Sequence, residues 1–457
     1  MLGAGPAGLM AAYRLATRGR QVVVLERSER VGGLAASFFV GGQRVDHGSH
    51  RLHPSTAPPV MAVIRDLLGD ELQRRSRRGR MRLADRWVGF PPRPFDLVRR
   101  LPPRLASRLT LDAAAGALRG RPSRTLDVTD TFDAVVRARL GATLAEQFYG
   151  PYVRKIWGLG PEELSGELAR RRVGASSGAL VRRLLPGRKG DRGSFFYPAT
   201  GFGAIVERLA EAAVEAGAEI ELKASVDTLE PTASSVTVNA GDLRVEAPIV
   251  FSTIPISALV ERLRPAPAPF VLEAADRLRS RALVLVYLVL DDDRFTAFDA
   301  HYVPGPEAAF ARLSEPKNYR EGPDSAARTV LCAEVPCAMD DPVWRASDDE
   351  LGELVVYGIT ALGLPTARSV EMTTRRVPRA YPVYSLGYER DFAAVDEAVS
   401  ATPRLLTFGR QGLFAHDNTH HAMNMAVAAT DTLTDDGFDA ARWSAARAEF
   451  ASHVVED

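Results

Sequence analysis

Cysteine is almost missing from this chain of 457 residues, which contains only Cys332 and Cys337. Two cysteines supply neither the disulfide framework of a small secreted protein nor a cysteine-based metal site. Their scarcity predicts a protein of the reducing cytoplasm.

Long apolar runs are also missing. The longest, such as Ala282–Leu290, fall far short of the roughly 20 residues that a membrane-spanning helix needs. The sequence therefore argues against an integral membrane protein, and we expect no signal peptide ahead of its first motif. With 46% hydrophobic and 25% charged residues, the composition is that of a globular protein large enough for two domains.

Lysine is also scarce, with four in the chain, so nearly all of the 58 basic residues are arginine. The net charge is only +1, yet residues 56–195 carry 28 Arg or Lys against 14 Asp or Glu. Such a surplus is typical of an anion-binding surface, although a solvated arginine-rich face explains it equally well. It favours a small-molecule substrate with phosphate or carboxylate groups. Docking on an acidic membrane or a carrier protein is a further hypothesis, whereas nucleic acid is not an expected partner.

The chain opens on a glycine-rich turn. Its GxGxxG pattern is typical of a dinucleotide-binding turn, in which a pyrophosphate approaches the backbone at a helix N-terminus. A helical pattern over Leu9–Arg18, a stop at Gly19 and a buried-strand pattern then lead to Glu26, placed where a carboxylate binds a ribose. The turn residues expected at the cofactor are Gly3, Gly5, Pro6, Ala7 and Gly8.

Only two residues precede this turn, although the first strand of such a domain is normally the central strand of its sheet. The sequence therefore predicts that this strand is almost absent, because the start is placed too late or upstream residues are missing. On that expectation, cofactor binding by this form of the chain is not secure.

A second glycine pair and a hairpin follow. Gly32 and Gly33 permit another close approach of the backbone to phosphate or ribityl groups. The alternation over Phe38–Val45 predicts a hairpin with a Gly-Gly turn. It leads into an Asp-x-Gly-x-His segment at residues 46–50.

Together, GxGxxG, Glu-x5-Gly-Gly and Asp-x-Gly-x-His resemble the FAD-dependent amine oxidase superfamily. Within it, the chain is most similar to the branch of protoporphyrinogen-oxidase-like proteins and UDP-galactopyranose mutase. The resemblance implies FAD, with Glu26 at the adenosine ribose and the Gly32–Ala35 backbone along the cofactor. Further cofactor contacts implied here are Arg27, Leu34, Gly48 and Ser49.

Three histidines, at positions 47, 50 and 53, raise the hypothesis of a metal site. In an extended segment they would not all share a face, and they lack the converging partners of such sites, so we predict no metal. The galactopyranose mutase pattern Gly-x-His instead implies that His50 lies against the flavin ring, as a candidate catalytic residue. A structural histidine is the alternative.

Residues 148–158 resemble the family's F-x-x-P-Y-x-x-K-[IV]-W-G segment on the substrate side of the flavin. Lys155 is a candidate catalytic residue, because a lysine near flavin N5 can order a water or stabilise reduced flavin. A surface lysine beside Arg154 is the alternative. Candidate substrate contacts are Arg51, Tyr152, Trp157 and Tyr381.

Two later stretches also resemble flavin motifs. Gly409 and Arg410 correspond to the pyrophosphate and ribityl region. A helix beginning near His420 corresponds to the one that points at the flavin N1–C2=O edge, where its N–H groups stabilise reduced flavin. The remaining cofactor contacts implied are Val226, in a turn that holds adenine, and His421 and Ala422. Glu334 and Lys317 are candidates for substrate contact, although ion pairs or surface positions explain them as well.

The motifs predict an α/β flavoprotein of two domains. A Rossmann-like FAD-binding domain would comprise residues 1–55, 196–262 and 386–457. A discontinuous substrate domain would combine a basic, mostly helical segment, 56–195, with an antiparallel sheet, 263–385.

Three functions follow from this architecture. The first is an FAD-dependent oxidase, dehydrogenase or desaturase that takes a hydride from a small, anionic metabolite. The second is a mutase or isomerase that uses reduced flavin on a nucleotide sugar without net redox change. The third, motivated only by the near absence of the first strand, is a non-catalytic homologue. The resemblance indicates the cofactor better than the reaction, because one fold hosts many chemistries.

Overall fold

The computed structural model describes residues 1–90, 99–119, 130–172, 193–435 and 437–455. In chain order the strands are β1 (Val23–Leu25), β2 (Ser37–Val40), β3 (Gln43–Asp46), β4 (Leu72–Ser76), β5 (Gly79–Leu83), β6 (Arg86–Phe90), β7 (Ser194–Pro198), β8 (Glu219–Glu221), β9 (Thr228–Pro231), β10 (Val236–Ala240), β11 (Leu243–Ala247), β12 (Val250–Ser252), β13 (Ser280–Leu290), β14 (Ala300–Tyr302), β15 (Arg312–Ser314), β16 (Thr329–Cys337), β17 (Ser369–Pro382) and β18 (Leu405–Thr407). The helices are α1 (Pro6–Ala16), α2 (Pro58–Leu68), α3 (Pro103–Arg119), α4 (Phe132–Leu140), α5 (Ala142–Leu144), α6 (Gly150–Trp157), α7 (Gly166–Arg172), α8 (Ala204–Glu215), α9 (Ile256–Glu261), α10 (Pro269–Arg277), α11 (Pro342–Arg345), α12 (Asp348–Ala361), α13 (Tyr388–Ser400), α14 (Gly409–Gly412), α15 (Thr419–Asp431) and α16 (Ala440–Phe450).

A parallel sheet carries the first motif. β1 pairs with β8 and β12 pairs with β18, both in parallel. Leu2 forms parallel bridges with Leu25 and with Ser252, so it joins the two pairs in the order β8-β1-Leu2-β12-β18. A single residue thus occupies the central position where we expected the first strand to be almost absent.

Helices α1, α8 and α15 pack on this sheet through buried apolar faces. α1 begins earlier than the predicted Leu9, because Gly5 is an extended N-cap and Pro6 suits the first helical position. The predicted hairpin is confirmed as β2 and β3, which pair antiparallel on either side of a Gly-Gly turn.

A second, seven-stranded sheet has the order β17-β13-β16-β15-β14-β5-β6. Its neighbouring strands are antiparallel except for β14 and β5, which run parallel. Helix α12 covers one face, and the β2–β3 hairpin packs on the other, so the central strand β13 is buried on both faces. The predicted fold class, an α/β chain whose second sheet is largely antiparallel, is confirmed.

The basic segment contains more strand than predicted. We expected this segment to be mostly helical, but it also contains β4, β5 and β6; β4 pairs with β7, and β5 joins the large sheet beside β6. Along β5, Gly79, Met81 and Leu83 are buried and alternate with arginines, which is the two-residue period of a strand. Residues 91–98, 120–129 and 173–192 of this segment lie outside the described residues. None of the described helices combines the length and apolarity that crossing a bilayer requires.

Candidate functional site

A cleft of about 570 Å³ extends from the glycine turn before α1 to the face of the large sheet. This volume lies within the range of roughly 300–1,000 Å³ that is usual for small-molecule sites. Its wall combines the first turn, the hairpin exit, the β12 exit, the end of β17 and the start of α15. The cleft therefore brings together motifs that lie at opposite ends of the sequence.

Three glycines from distant segments form a cradle at the N-terminus of α1. A Cβ added to Gly5 would meet no atom within 4 Å, so this position opens into free space. A Cβ on Gly33 would lie 3.5 Å from the Gly5 Cα, and a Cβ on Gly409 would lie 3.2 Å from the Ala7 Cβ. The free N–H groups of the helix start face this space, so the cradle fits a pyrophosphate.

Two other motif glycines support this cradle without lining it. Gly8 packs so tightly that an added Cβ would lie 2.0 Å from the Gly3 carbonyl oxygen. Gly32 has a φ of 106°, and an added Cβ would lie 2.8 Å from Val206 Cγ2. Both positions require glycine, but for packing and backbone conformation rather than for contact with a ligand.

The Glu26 carboxylate lies in the part of the cleft where the sequence motif predicts the adenosine ribose. Its Oε2 accepts a hydrogen bond from Ala4 N at 2.8 Å, and its Oε1 accepts one from Ser28 N at 2.9 Å. Arg27 and Val226 also line this part, where the Val226 carbonyl accepts a hydrogen bond from Arg262 Nε at 2.7 Å. Glu26 is thus fixed in place, with lone pairs left over for a ribose.

His50 is half-buried in the cleft wall. Its Nδ1 has no hydrogen-bond partner among the described residues, and its ring stacks on Phe202 with centroids 5.2 Å apart. Burial lowers the pKa of His50, against the opposing effect of Asp46 and Glu334. The ring can therefore exchange hydrogen bonds with a ligand without bringing a charge.

An ion pair fastens the hairpin exit to the large sheet. Arg312 Nε and Nη2 each donate to a Glu334 carboxylate oxygen at 2.8 Å, and Glu334 Oε1 also accepts from Ser49 N at 2.8 Å. Next to it, Arg51 Nη2 lies 3.1 Å from Asp299 Oδ1. The segment of residues 48–51 is thereby held at the wall of the cleft.

Two arginines and aromatic rings form a further part of the wall. The Arg410 guanidinium lies 5.7 Å from the Tyr381 ring centroid, and the Arg172 guanidinium lies 5.9 Å from the same centroid. Arg172 also stacks over Trp157, whose Nε1 donates to the Pro382 carbonyl. Burial lowers the pKa of Arg410, and the nearby Arg172 lowers it further. Positive charge is therefore concentrated around Tyr381.

Lys155 lies outside the lining of this cleft. Its Nζ donates to the carbonyls of Val303, at 2.7 Å, and Phe310, at 3.2 Å. Burial lowers the pKa of Lys155 to about 8. Lys317 is likewise engaged elsewhere, with its Nζ 2.6 Å from Asp293 Oδ1.

The carboxyl-terminal helix α15 begins at Thr419, close to the predicted His420, with Asn418 as its N-cap. Thr419 and Ala422 line the cleft, one helical turn apart. His420 and His421 belong to other faces of the helix and are not in the lining. The structure therefore confirms this helix start but separates the two histidines from the cleft.

The cleft gathers most of the residues that the sequence motifs singled out. The predicted site residues in its lining are Gly3, Gly5, Pro6, Ala7, Glu26, Arg27, Gly33, Leu34, Gly48, Ser49, His50, Arg51, Tyr152, Val226, Tyr381, Gly409, Arg410 and Ala422. The predicted residues outside it are Gly8, Gly32, Lys155, Trp157, His420 and His421.

Arginine dominates the charge of the lining. Its described residues include nine arginines but only three carboxylates, those of Glu26, Glu334 and Asp417. Arg172 and Arg312 were not among the predicted site residues. Arg172 ends a run of three arginines at the end of α7, and this run could have indicated it. Nothing local in the sequence marks Arg312.

Comparison with known proteins places the chain in a family. The family described as flavin containing amine oxidoreductase matches residues 6–428. Putrescine oxidase of Kocuria rosea is 43% identical over 79 residues, which are 17% of this chain and 16% of that protein. A putative flavin-containing monoamine oxidase of Mycobacterium tuberculosis is 30% identical over 273 residues, 56% of each chain. The chain thus aligns with less than two thirds of the length of either relative.

Solved structures with the same fold cover nearly the whole chain. Reduced UDP-galactopyranose mutase has a TM-score of 0.79 at 20% identity, covering 99% of this chain and 98% of that one. A putative protoporphyrinogen oxidase from Exiguobacterium sp. 255-15 has a TM-score of 0.71 at 20% identity, covering 94% and 98%. At these identities the likeness establishes the fold alone. The family match spans most of the sequence, so the chain belongs to the flavin-containing amine oxidoreductases, with FAD as its cofactor.

Proposed function

We propose that this protein is an FAD-dependent oxidoreductase that oxidises a small metabolite bearing carboxylate or phosphate groups. When bound, FAD supplies the hydride acceptor. The observation that carries the proposal is the surplus of arginine in the cleft wall. The protein's own part is to bind and orient an anion and to keep the reacting centre away from water.

Arginine outnumbers carboxylate in the lining of the cleft. Nine arginines face three carboxylates in the described lining. Four of these arginines already have a carboxylate within 4.0 Å: Arg312 lies beside Glu334, Arg51 beside Asp299, Arg376 beside Asp348 and Arg262 beside Glu261. The FAD pyrophosphate would compensate about two of the remaining charges, because each of its phosphates carries about one negative charge. The surplus favours an anionic substrate and disfavours a diamine.

Arg172 and Arg410 are the proposed substrate-binding residues. Arg410 uses its Nη1 and Nη2 on the backbone carbonyls of Asp417 and Ala380, at 2.7 and 2.8 Å, so these hydrogen bonds do not cancel its charge. Both guanidiniums lie close to the Tyr381 ring, which can stack on an unsaturated substrate. His50 would contribute hydrogen bonding as a neutral ring. A direct catalytic role for Lys155 stays a prediction.

A reduced-flavin-dependent mutase acting on a nucleotide sugar is the second candidate. The same arginine surplus favours it, because a nucleotide sugar also carries two phosphates. The two candidates differ in redox demand, since a mutase returns its flavin to the starting state in each cycle.

The test is an anaerobic panel of polycarboxylates, sugar phosphates, nucleotide sugars and amines, with flavin absorbance as the readout. Bleaching by an anionic compound, with no response to putrescine, is the expected result. Turnover that requires prior reduction with dithionite and gives an isomeric product would favour the mutase. Bleaching by putrescine alone would overturn the anionic substrate class.

Arg172→Gln tests the assignment of the binding residue, with Arg170→Gln as its control. Loss of a charged hydrogen-bond partner costs about 1.5–3 kcal/mol, so KM for the anionic substrate should rise by roughly 10- to 100-fold. Arg170 lies two residues earlier in α7, pairs with Glu167 and does not line the cleft. Its replacement should leave KM within about twofold of wild type. Equal KM values for the two variants would refute the role of Arg172.

A further inference from the structure

Asp417, His421 and His453 converge behind the start of α15. The Asp417 Oδ1 lies 3.4 Å from His453 Nδ1 and 3.6 Å from His421 Nδ1. The three potential ligand atoms all lie within 4.8 Å of one another, and no other such group of histidine, cysteine and acidic side chains occurs among the described residues. We propose that these three side chains bind one zinc ion.

The two distances from the Asp417 Oδ1 suit tetrahedral zinc, and the two histidine ligand atoms lie within 4.8 Å of each other. Zinc bonds of about 2.0–2.2 Å to nitrogen and oxygen place neighbouring ligand atoms roughly 3.3–3.6 Å apart in a tetrahedron. The two distances from Asp417 agree with this value, whereas an octahedral site with similar bonds would bring them to about 3 Å. Two imidazoles and a carboxylate are ordinary zinc ligands, and a water would complete the set.

Asp417 needs a cationic partner at this position. Its side chain is fully buried, and neither carboxylate oxygen accepts a hydrogen bond from the described residues. The Arg171 Nη1 is 3.9 Å away, but this guanidinium also bonds to Glu167 through its Nε at 2.9 Å. A buried carboxylate without close compensation is costly, so a cation bound directly to its oxygens would stabilise the fold.

The two imidazoles both approach Asp417, and their near-parallel rings would have to rotate for both lone pairs to point at one ion. Their rings stack with centroids 4.4 Å apart and an interplanar angle of 17°. Asn418 N donates to His421 Nδ1 at 3.3 Å, so this nitrogen presents its lone pair rather than a proton. Binding of the metal would exchange this long hydrogen bond for a coordinate bond, and a neutral imidazole is the form that ligates zinc.

The site would join the carboxyl-terminal tail to the wall of the cleft. His453 follows α16, and two residues later Val455 lines the cleft and donates its N–H to the Arg171 carbonyl at 2.8 Å. Asp417 belongs to the same wall. Zinc would therefore fix the tail against the cleft, independently of which substrate the cleft accepts.

Zinc titration of the tag-free holoprotein, followed by calorimetry and by metal analysis after dialysis, tests the proposal. Wild type should bind one zinc per chain. His453→Ala and His421→Ala should each weaken binding by more than about 100-fold, because even the loss of an outer partner of a ligand costs about 10- to 100-fold. The control, His53→Ala, removes a histidine outside the cluster and should bind as wild type does.

Limited proteolysis of the tail gives a readout that does not depend on activity. Zinc should protect the tail of wild type and of His53→Ala, and EDTA should remove the protection. His453→Ala should show no zinc-dependent protection. Absence of stoichiometric zinc binding by wild type, or binding that His453→Ala leaves unchanged, would overturn the site. Protection in EDTA that appears only on acidification would also overturn it, by assigning the cluster to an imidazolium–carboxylate pair.

Discussion

At the scale of single residues, Glu26 holds two parts of the fold together at the position where we predict the cofactor's ribose. Each of its oxygens accepts a backbone N–H, one from Ala4 in the glycine turn and one from Ser28 after β1. The carboxylate therefore ties the turn to the strand exit. Its remaining lone pairs face the cleft.

Glu26→Gln should weaken FAD retention. The amide has one oxygen where the carboxylate has two, so one backbone N–H loses its acceptor and the site loses a charge. A hydrogen bond to a charged group is worth about 1.5–3 kcal/mol, which predicts a Kd for FAD about 10- to 100-fold higher. Flavin content after gel filtration and a fluorescence titration with FAD measure this loss of affinity. Glu29→Gln, an exposed neighbour, should retain wild-type flavin; equal retention by both variants would refute the assignment.

At the scale of elements, the faces of helices decide which motif residues reach the site. On α6, Tyr152 and Ile156 are four residues apart and both line the cleft, so Lys155 points in another direction. On α15, Thr419 and Ala422 are three apart and line it, while the histidines between them do not. Sequence motifs predicted the helices, but the rotation of each helix about its axis comes from packing against distant elements.

Lys155→Met separates a catalytic role from a structural one. Because Lys155 lies off the cleft face, we expect an unchanged rate of flavin reduction. Burial lowers its pKa from 10.5 to about 8, so between these values the unfolded chain binds the proton more tightly. The free energy of unfolding of wild type should therefore rise relative to the variant as pH increases from about 8 to 10.5. Denaturant unfolding across this range measures the difference, and slowed flavin reduction in the variant would restore the catalytic role.

The glycine turn allows a paired test at the level of one element. In Gly5→Ala the added Cβ meets no protein atom but enters the phosphate space, so folding should be normal and FAD binding strongly reduced. In Gly8→Ala the Cβ would clash with the Gly3 carbonyl, so both stability and FAD binding should fall. Thermal unfolding of the FAD-free proteins and flavin content after reconstitution distinguish the two. Full flavin content in Gly5→Ala would contradict the cradle.

The sequence predicts those parts of the site whose residues are close together along the chain, and it misses those that depend on contacts between distant segments. The glycine turn, Glu26 and the hairpin are local patterns, and each was predicted where the structure has it. Strand β5 was missed because its outward residues are arginines, which masked the two-residue alternation of its buried ones. The pairing of β15 with β16, which sets Arg312 opposite Glu334, and the pairing of β14 with β5 depend on contacts that no local pattern encodes.

At the scale of the whole molecule, the Arg312–Glu334 pair connects the large sheet to the hairpin exit through Ser49. Glu334→Gln would leave Arg312 buried without its charged partner. Breaking a buried pair in this way costs about 3–5 kcal/mol of unfolding free energy. Glu321→Gln, which breaks an exposed pair with Arg75, should cost less than about 1 kcal/mol.

Chemical unfolding at matched FAD saturation measures both variants, because bound cofactor itself raises apparent stability. A loss in Glu334→Gln no larger than that in Glu321→Gln would show that the connection between the sheet and the hairpin does not depend on this pair.

The cradle around Gly5, Gly33 and Gly409 also has a consequence for synthesis on the ribosome. Leu2 can complete the parallel sheet only after Ser252 has emerged, and the last wall of the pyrophosphate site arrives with Gly409. Pairings between such distant residues form late, after much loop closure has been overcome. Nascent chains stalled before residue 409 should therefore retain no flavin, however well their first motif is formed. FAD would thus bind only to a chain that already includes the segment around Gly409.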